Sequence, residues 1–122
     1  MTIKRHEPSK SHSAGVAYYS KVVEANGFVF SAGIVADDLK QDVKGQTQQI
    51  LKEIDRLLGL CGTDKSKIVT ATIWVADIRL RDAMNEAWLA WTGGQDLPGR
   101  ACIEARLADP RILVEIAVVA AK

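Results

Sequence analysis

The sequence is poor in the residues that carry metal, redox and hydrolytic chemistry. Its only cysteines are Cys61 and Cys102, and its only histidines are His6 and His12. The two cysteines fall in different expected elements with no motif spacing, so no disulfide framework is expected, and a reducing, cytoplasmic setting is. No His/Cys/Asp cluster has the local spacing of zinc ligands. There is no glycine-rich phosphate loop of either standard form and no serine in a nucleophile-elbow sequence. No metal, no nucleotide cofactor and no Ser-His-Asp triad is therefore expected. Charge of one sign is also missing. The net charge is +1, which offers neither a basic stripe for nucleic acid nor an acidic tail. The basic cluster Lys4-Arg5-His6 stands beside Glu7 and reads as a solvated strand end. The first residues, MTIKRHEPSKSHS, lack the apolar core of a secretory signal. No apolar run approaches bilayer length, because the strand-like ILVEIAVVAA is short and carries a carboxylate, so no membrane association is expected.

What is present is enough for one domain spanning residues 1–122, since 48% of the chain is hydrophobic. Residues 2–6 form a weak first strand, and the small polar residues 9–17 read as a loop. Residues 18–25 and 28–32 are rich in β-branched and aromatic types and flank Asn26-Gly27, a strong hairpin signal. Residues 42–61 predict a helix. Val43, Thr47, Ile50, Leu51, Ile54, Leu57, Leu58 and Cys61 recur on one face at 3.6-residue spacing. Gly45 weakens its first turn by about 1 kcal/mol, and Gly62-Thr63-Asp64 ends it. A strand over 67–76 follows. Asp77 is then the expected N-cap of a second helix, with Leu80, Ala83, Met84, Ala87, Trp88 and Trp91 on one face and Gly93-Gly94 as its stop. Strands over 101–107 and 112–121 close the chain, joined by Ala108-Asp109-Pro110-Arg111.

The order β-ββ-α-β-α-ββ implies a two-layer α/β sandwich with a mixed sheet. Two helices cover only one sheet face. Yet the strands IVTATIWVA and ILVEIAVVAA are apolar at both parities, the pattern of strands buried on both sides. Another copy of the chain is the simplest cover for the second face, so a homo-oligomer is expected, with a closed ring as one solution.

Few residues stand out as chemical. In Leu97-Pro98-Gly99-Arg100-Ala101-Cys102 a Pro-Gly turn delivers Arg100 to the start of a strand. There its planar guanidinium is held by backbone and can take a carboxylate bidentately. By local sequence alone, a surface salt bridge is the more ordinary role. Glu115 lies within Leu113-Val114-Glu115-Ile116, and a carboxylate in an apolar strand is costly unless partnered, which makes it a candidate acid/base group. An ion pair with Arg106 or a reach to solvent would also explain it. If a tight turn pairs Leu107 with Ile112, Glu115 falls opposite Glu104, and a two-residue slip places it opposite Arg106. Cys102 shares the face of Arg100 and reads first as a small apolar filler. Tyr19, at a strand start, is either core or a hydroxyl reaching a ligand. Trp74, Trp88 and Trp91 read as core or interface.

Several segments together resemble the Rid family, also called YjgF, over most of the chain from about Tyr19 onward. Pro98-Gly99-Arg100-Ala101-Cys102-Ile103-Glu104, followed by Val114-Glu115-Ile116, looks like the family signature of Pro-Ala-Arg and a later hydrophobic-Glu-Ile/Met step. Asn26-Gly27-Phe28-Val29-Phe30-Ser31-Ala32-Gly33 is similar to its Gly-Asn-hydrophobic-x-x-Ser-Gly strand. Tyr19-Ser20-Lys21 resembles its Tyr-Ser-Gln step. Met84-Asn85-Glu86-Ala87-Trp88 looks like the helix that supplies an asparagine near the site.

The resemblance implies a chorismate-mutase-like fold, a homotrimer, and clefts between adjacent subunits. It also implies hydrolysis of reactive enamines and imines, such as 2-aminoacrylate and other 2-imino acids, to 2-oxoacids and ammonia without a cofactor. Arg100 would bind the substrate carboxylate, Glu115 would hold or deprotonate water, and Tyr19, Ala32, Asn85 and Cys102 would line the pocket. The sequence departs from the family where Ala32-Gly33-Ile34-Val35-Ala36 replaces Ser-Gly-Gln-Ile-Pro, and where Gly99 replaces alanine before the arginine. A non-catalytic binder or sensor of small carboxylates at the same cleft is the competing expectation. A ribonuclease or translation inhibitor is a third, opposed by the near-neutral charge and the lack of interleaved aromatic and basic residues.

Overall fold

The computed structural model describes residues 1–9 and 15–122; His12 and part of the expected 9–17 loop lie outside them. The hairpin forms as its sequence dictates. β1 (Ile3–Pro8), β2 (Ser20–Ala25) and β3 (Phe28–Ser31) run antiparallel in succession. Asn26 and Gly27 both take positive φ, 51° and 80°, the geometry a two-residue hairpin turn needs to match strand twist.

Helix α1 (Val43–Leu60) begins where Asp42 accepts a hydrogen bond from the Gly45 amide at 2.8 Å. Its buried face is the expected one with one addition, Gln46, which is fully buried. The Gln46 amide donates to the carbonyls of Gln41 (3.1 Å) and Arg111 (3.0 Å), and its Oε1 accepts from the Leu113 amide (3.0 Å). One polar side chain thus ties together the backbone of two loops through their carbonyl and amide groups.

β4 (Ile68–Val75), α2 (Arg81–Thr92) and β5 (Gly99–Glu104) form a β-α-β unit with parallel strands, and β6 (Val114–Ala121) ends the chain. Asp77 caps a short 3₁₀ turn, Ile78–Leu80, rather than α2 itself, whose N-cap is Leu80. The Asp77 carboxylate is committed to the Arg79 amide at 2.9 Å, so the α-helix begins one turn later than expected. Gly93, at φ 63°, ends it.

The six-stranded sheet has the order β1-β2-β3-β6-β4-β5. This corrects one expectation: β5 and β6 do not pair. A strand returning through a helix in a β-α-β unit lies parallel beside the first strand, which puts β5 at the sheet edge. β6 then pairs antiparallel with the other side of β4. Glu115 consequently stands opposite Trp74, and neither Glu104 nor Arg106 is its cross-strand neighbour. Instead Glu104 accepts from the Ile78 amide at 2.8 Å. Segment 108–111 is a connection tied down by Gln46, with Asp109 accepting from the Arg111 amide at 2.8 Å.

Both helices pack on one face of the sheet, over a core that includes Ile50, Leu51, Ile54, Leu58, Ile73, Met84 and Ile116. On the other face Ala117, Val119 and Trp74 are half-buried, while Phe28, Phe30 and Ile103 are 39–46% exposed. The chain thus adopts the chorismate-mutase-like two-layer sandwich, with a sheet that is apolar on both sides.

Candidate active site

Arg100 is the second residue of β5, and its Cα partner on β4 is the buried Ala71. Its side chain therefore points to the helix-covered face. The Nη1 atom donates to Asn85 Oδ1 at 2.7 Å, and Cζ lies 5.3 Å from the centroid of the Trp88 ring. Asn85 and Trp88 are three residues apart on α2 and so share a helix face. One fixes an edge of the guanidinium and the other stacks against its plane, a cation–π contact. Among the described residues no carboxylate lies within salt-bridge distance of Arg100, so the surface-salt-bridge reading does not apply. Cys102, two residues on, is half-buried and packs against the core, as expected of an apolar filler.

Glu115 occupies the opposite face. Its β4 partner, Trp74, is three residues beyond Ala71 on a regular stretch of strand, and side chains alternate between faces. Its carboxylate abuts the backbone of Gly33, where a side chain would collide with it. Burial raises the Glu115 pKa above the usual carboxylate value. Among the described residues Glu115 has no ion-pair partner, Arg106 included.

Tyr19 immediately precedes β2 and is 55% exposed. With Gly33, Ile34 and Val35 it lines a cleft of about 720 Å³ whose far wall is α1, through Gln49, Lys52, Glu53 and Arg56. Ala32, next to Gly33, is held by its amide to the Lys21 carbonyl at 2.8 Å. The expected site residues therefore assemble as two groups. Arg100, Asn85 and Cys102 sit at the β5–α2 edge; Glu115 and Ala32 both adjoin Gly33, while Tyr19 shares with Gly33 the cleft against α1, which Glu115 does not line.

The cleft also holds a charged chain that was not expected. Glu7, at φ 54°, accepts two bonds from Arg56 (2.7 and 2.9 Å), and Arg56 and Lys21 both bind Glu53, each at 2.6 Å. Arg56 holds the Glu53 pKa down to about 2 against the opposing effect of burial, with Lys21 assisting.

The comparisons with known proteins agree with this architecture. The family model described as "Endoribonuclease L-PSP" matches residues 9–122. The chain belongs to the YjgF/Rid family. A "RutC family protein" of Haemophilus ducreyi is 45% identical over 103 residues, covering 84% of this chain and 88% of that protein. The RutC family protein YoaB of Escherichia coli is 40% identical over 105 residues, with 86% and 91% covered. The crystal structure of NMB1025, a YjgF-family protein from Neisseria meningitidis, superposes with a TM-score of 0.88 at 37% identity, covering 100% of this chain and 96% of that one. Within this YjgF/Rid fold, no helix among the described residues is long and apolar enough to cross a membrane.

A further cluster escaped the sequence reading altogether. His6, Glu24 and Cys61, far apart in the chain, present their donor atoms within 4.8 Å of one another. Its members come from two strands and a helix end, so no local spacing reveals it.

Proposed function

We propose that this YjgF/Rid protein is an imine deaminase that hydrolyses 2-imino acids, and the enamines that tautomerise to them, to 2-oxoacids and ammonia. The observation that carries the reading is Arg100: a part-buried guanidinium oriented by Asn85 and Trp88, with no carboxylate of its own among the described residues. Such a group is ready to take a small ligand's carboxylate. Arg100 anchors the carboxylate and thereby orients the neighbouring C=N carbon. Water adds to that carbon, a proton moves to nitrogen, and the carbinolamine collapses to C=O as ammonia leaves. Glu115 suits the proton transfers, because burial moves its pKa toward neutrality. Positioning and proton transfer suffice, so the reaction needs no cofactor.

Arg100 and Glu115 face opposite sides of one sheet, so a small molecule reaches both only if they come from different chains. We place the working site in clefts between adjacent subunits of a homotrimer, with Arg100, Asn85 and Cys102 from one subunit and Tyr19, Ala32 and Glu115 from its neighbour. The exposed Phe28, Phe30 and Ile103 support burial of the open sheet face in that assembly. The free Cys61 and Cys102 suit a reducing, cytoplasmic setting.

The test is a coupled assay in which an L-amino-acid oxidase generates imino acids from a panel of amino acids and semicarbazide traps the remainder. The protein should accelerate imine loss, and Arg100→Ala should abolish the acceleration. If the intact oligomer is inert across the panel, the competing reading stands: a binder or sensor of small carboxylates.

A further inference from the structure

We propose that His6, Glu24 and Cys61 form a divalent transition-metal site of the zinc class, tying β1 and β2 to the end of α1. The three ligands project from regular elements. His6 and Glu24 lie on the same face of the β1–β2 ladder, where Lys4 pairs with Glu24 and His6 with Val22, and Cys61 is the C-cap of α1. His6 Nε2 is 2.6 Å from Glu24 Oε2, and one donor atom from each of the three residues lies within 4.8 Å of the others. Tetrahedral zinc, with bonds of about 2.0 Å to nitrogen and oxygen and about 2.3 Å to sulfur, sets its ligand atoms roughly 3.5 Å apart. Side-chain adjustments of about an ångström therefore convert the cluster into a coordination sphere.

The donor set selects the metal. A thiolate with an imidazole and one carboxylate suits zinc, cobalt or nickel rather than magnesium or calcium, which take oxygen ligands. Binding displaces the Cys61 thiol proton, which is released to solvent, and His6 ligates through Nε2 with its ring proton carried on Nδ1. The other oxygen of Glu24 is already engaged, since Lys122 Nζ donates to Oε1 at 2.6 Å. That outer contact orients the carboxylate and leaves Oε2 toward His6, as outer partners do in established sites. Cys61 is buried, but the His6 side chain is 28% exposed, which gives the ion a way in. Three protein ligands leave a fourth position for water. None of the three belongs to the proposed deaminase site, so this proposal stands or falls apart from that reading.

The experiment strips the purified, assembled protein with a chelator and titrates it with zinc by calorimetry and with cobalt by absorption. The expected result is one metal per chain, a thiolate-to-cobalt charge-transfer band with tetrahedral d–d bands, and a rise in Tm as metal binds the folded state. Cys61→Ser should abolish the charge-transfer band. His6→Gln should weaken zinc by at least about tenfold, the loss seen even for outer-shell partners. Cys102→Ser should change neither. If Cys61→Ser does not fold, the cobalt spectra of wild type and Cys102→Ser decide which thiol binds. No binding by the wild type, or binding that survives His6→Gln unchanged or follows Cys102 instead of Cys61, would show that the cluster is only a hydrogen-bonded tie.

Discussion

Arg100 and Glu115 lie on opposite faces of one sheet: the strand partner of Arg100 is Ala71, and that of Glu115 is Trp74, three residues along β4. A sheet between the two side chains keeps one small substrate from touching both within a chain. The separation argues for a site shared between subunits.

Asn85 holds one edge of the Arg100 guanidinium in place. Asn85→Ala removes the acceptor 2.7 Å from Nη1 and frees the guanidinium to move. In imine-hydrolysis assays the expected outcome is a kcat/KM lowered roughly 10-fold or more, about 1.4 kcal/mol of transition-state binding. Melting should change little. An unaltered kcat/KM would mean that Asn85 does not position Arg100.

Gly33 is required by the carboxylate beside it. A Cβ at position 33 would meet the Glu115 side chain, and the flexible carboxylate can swing away. Gly33→Ala should therefore fold with little loss of Tm but lose most activity, because Glu115 is displaced. Crystals of the variant would show whether the Glu115 side chain changes rotamer.

Gln46, fully buried, joins the Arg111 carbonyl to the Leu113 amide. Gln46→Ala leaves the Arg111 carbonyl and the Leu113 amide without their present partner, at a cost on the order of 3 kcal/mol, which lowers Tm by roughly 10 °C. Gln46→Glu should retain the acceptor for Leu113 but lose the donors. Thermal melts of the two variants would rank these contacts.

Glu53 makes stability depend on pH in a defined window. Its folded pKa, about 2, lies below the ordinary value of 4.5, so its contribution is complete above about pH 4.5 and is lost as pH falls toward about 2. Wild type should melt higher than Glu53→Gln at neutral pH, and the gap should close through that window. A gap that persists at the acid end would contradict the ion-pair account.

Much of the fold was legible in the sequence because its signals were local. Asn26-Gly27 has the positive φ values its turn needs, and the apolar spacing from Val43 to Cys61 fits the buried face of α1. The apolar residues at both parities of β6 match a sheet whose second face exposes Phe28 and Phe30. What was missed depends on non-local pairing. The adjacency of β5 and β6 in sequence suggested a hairpin, but the parallel β4-α2-β5 unit takes one side of β4 and leaves the other to β6. Asp77 satisfies a 3₁₀ turn because its carboxylate reaches the nearest free amide, a choice that N-cap residue preference does not decide. Gln46 reads as an ordinary polar helix residue until the two loops beside it are in place. Arg100 and Glu115 stood out as residues, but their opposition across the sheet follows only from register.

The most direct test of the shared site mixes two defective chains. Arg100→Ala and Glu115→Gln are each expected to be inactive in imine hydrolysis. When they are co-expressed and their assembly into mixed oligomers is confirmed, some clefts receive an intact Arg100 from one chain and an intact Glu115 from the other. The account predicts that activity returns in the mixed oligomers. Mixed oligomers as inactive as the separate variants would contradict a site divided between subunits.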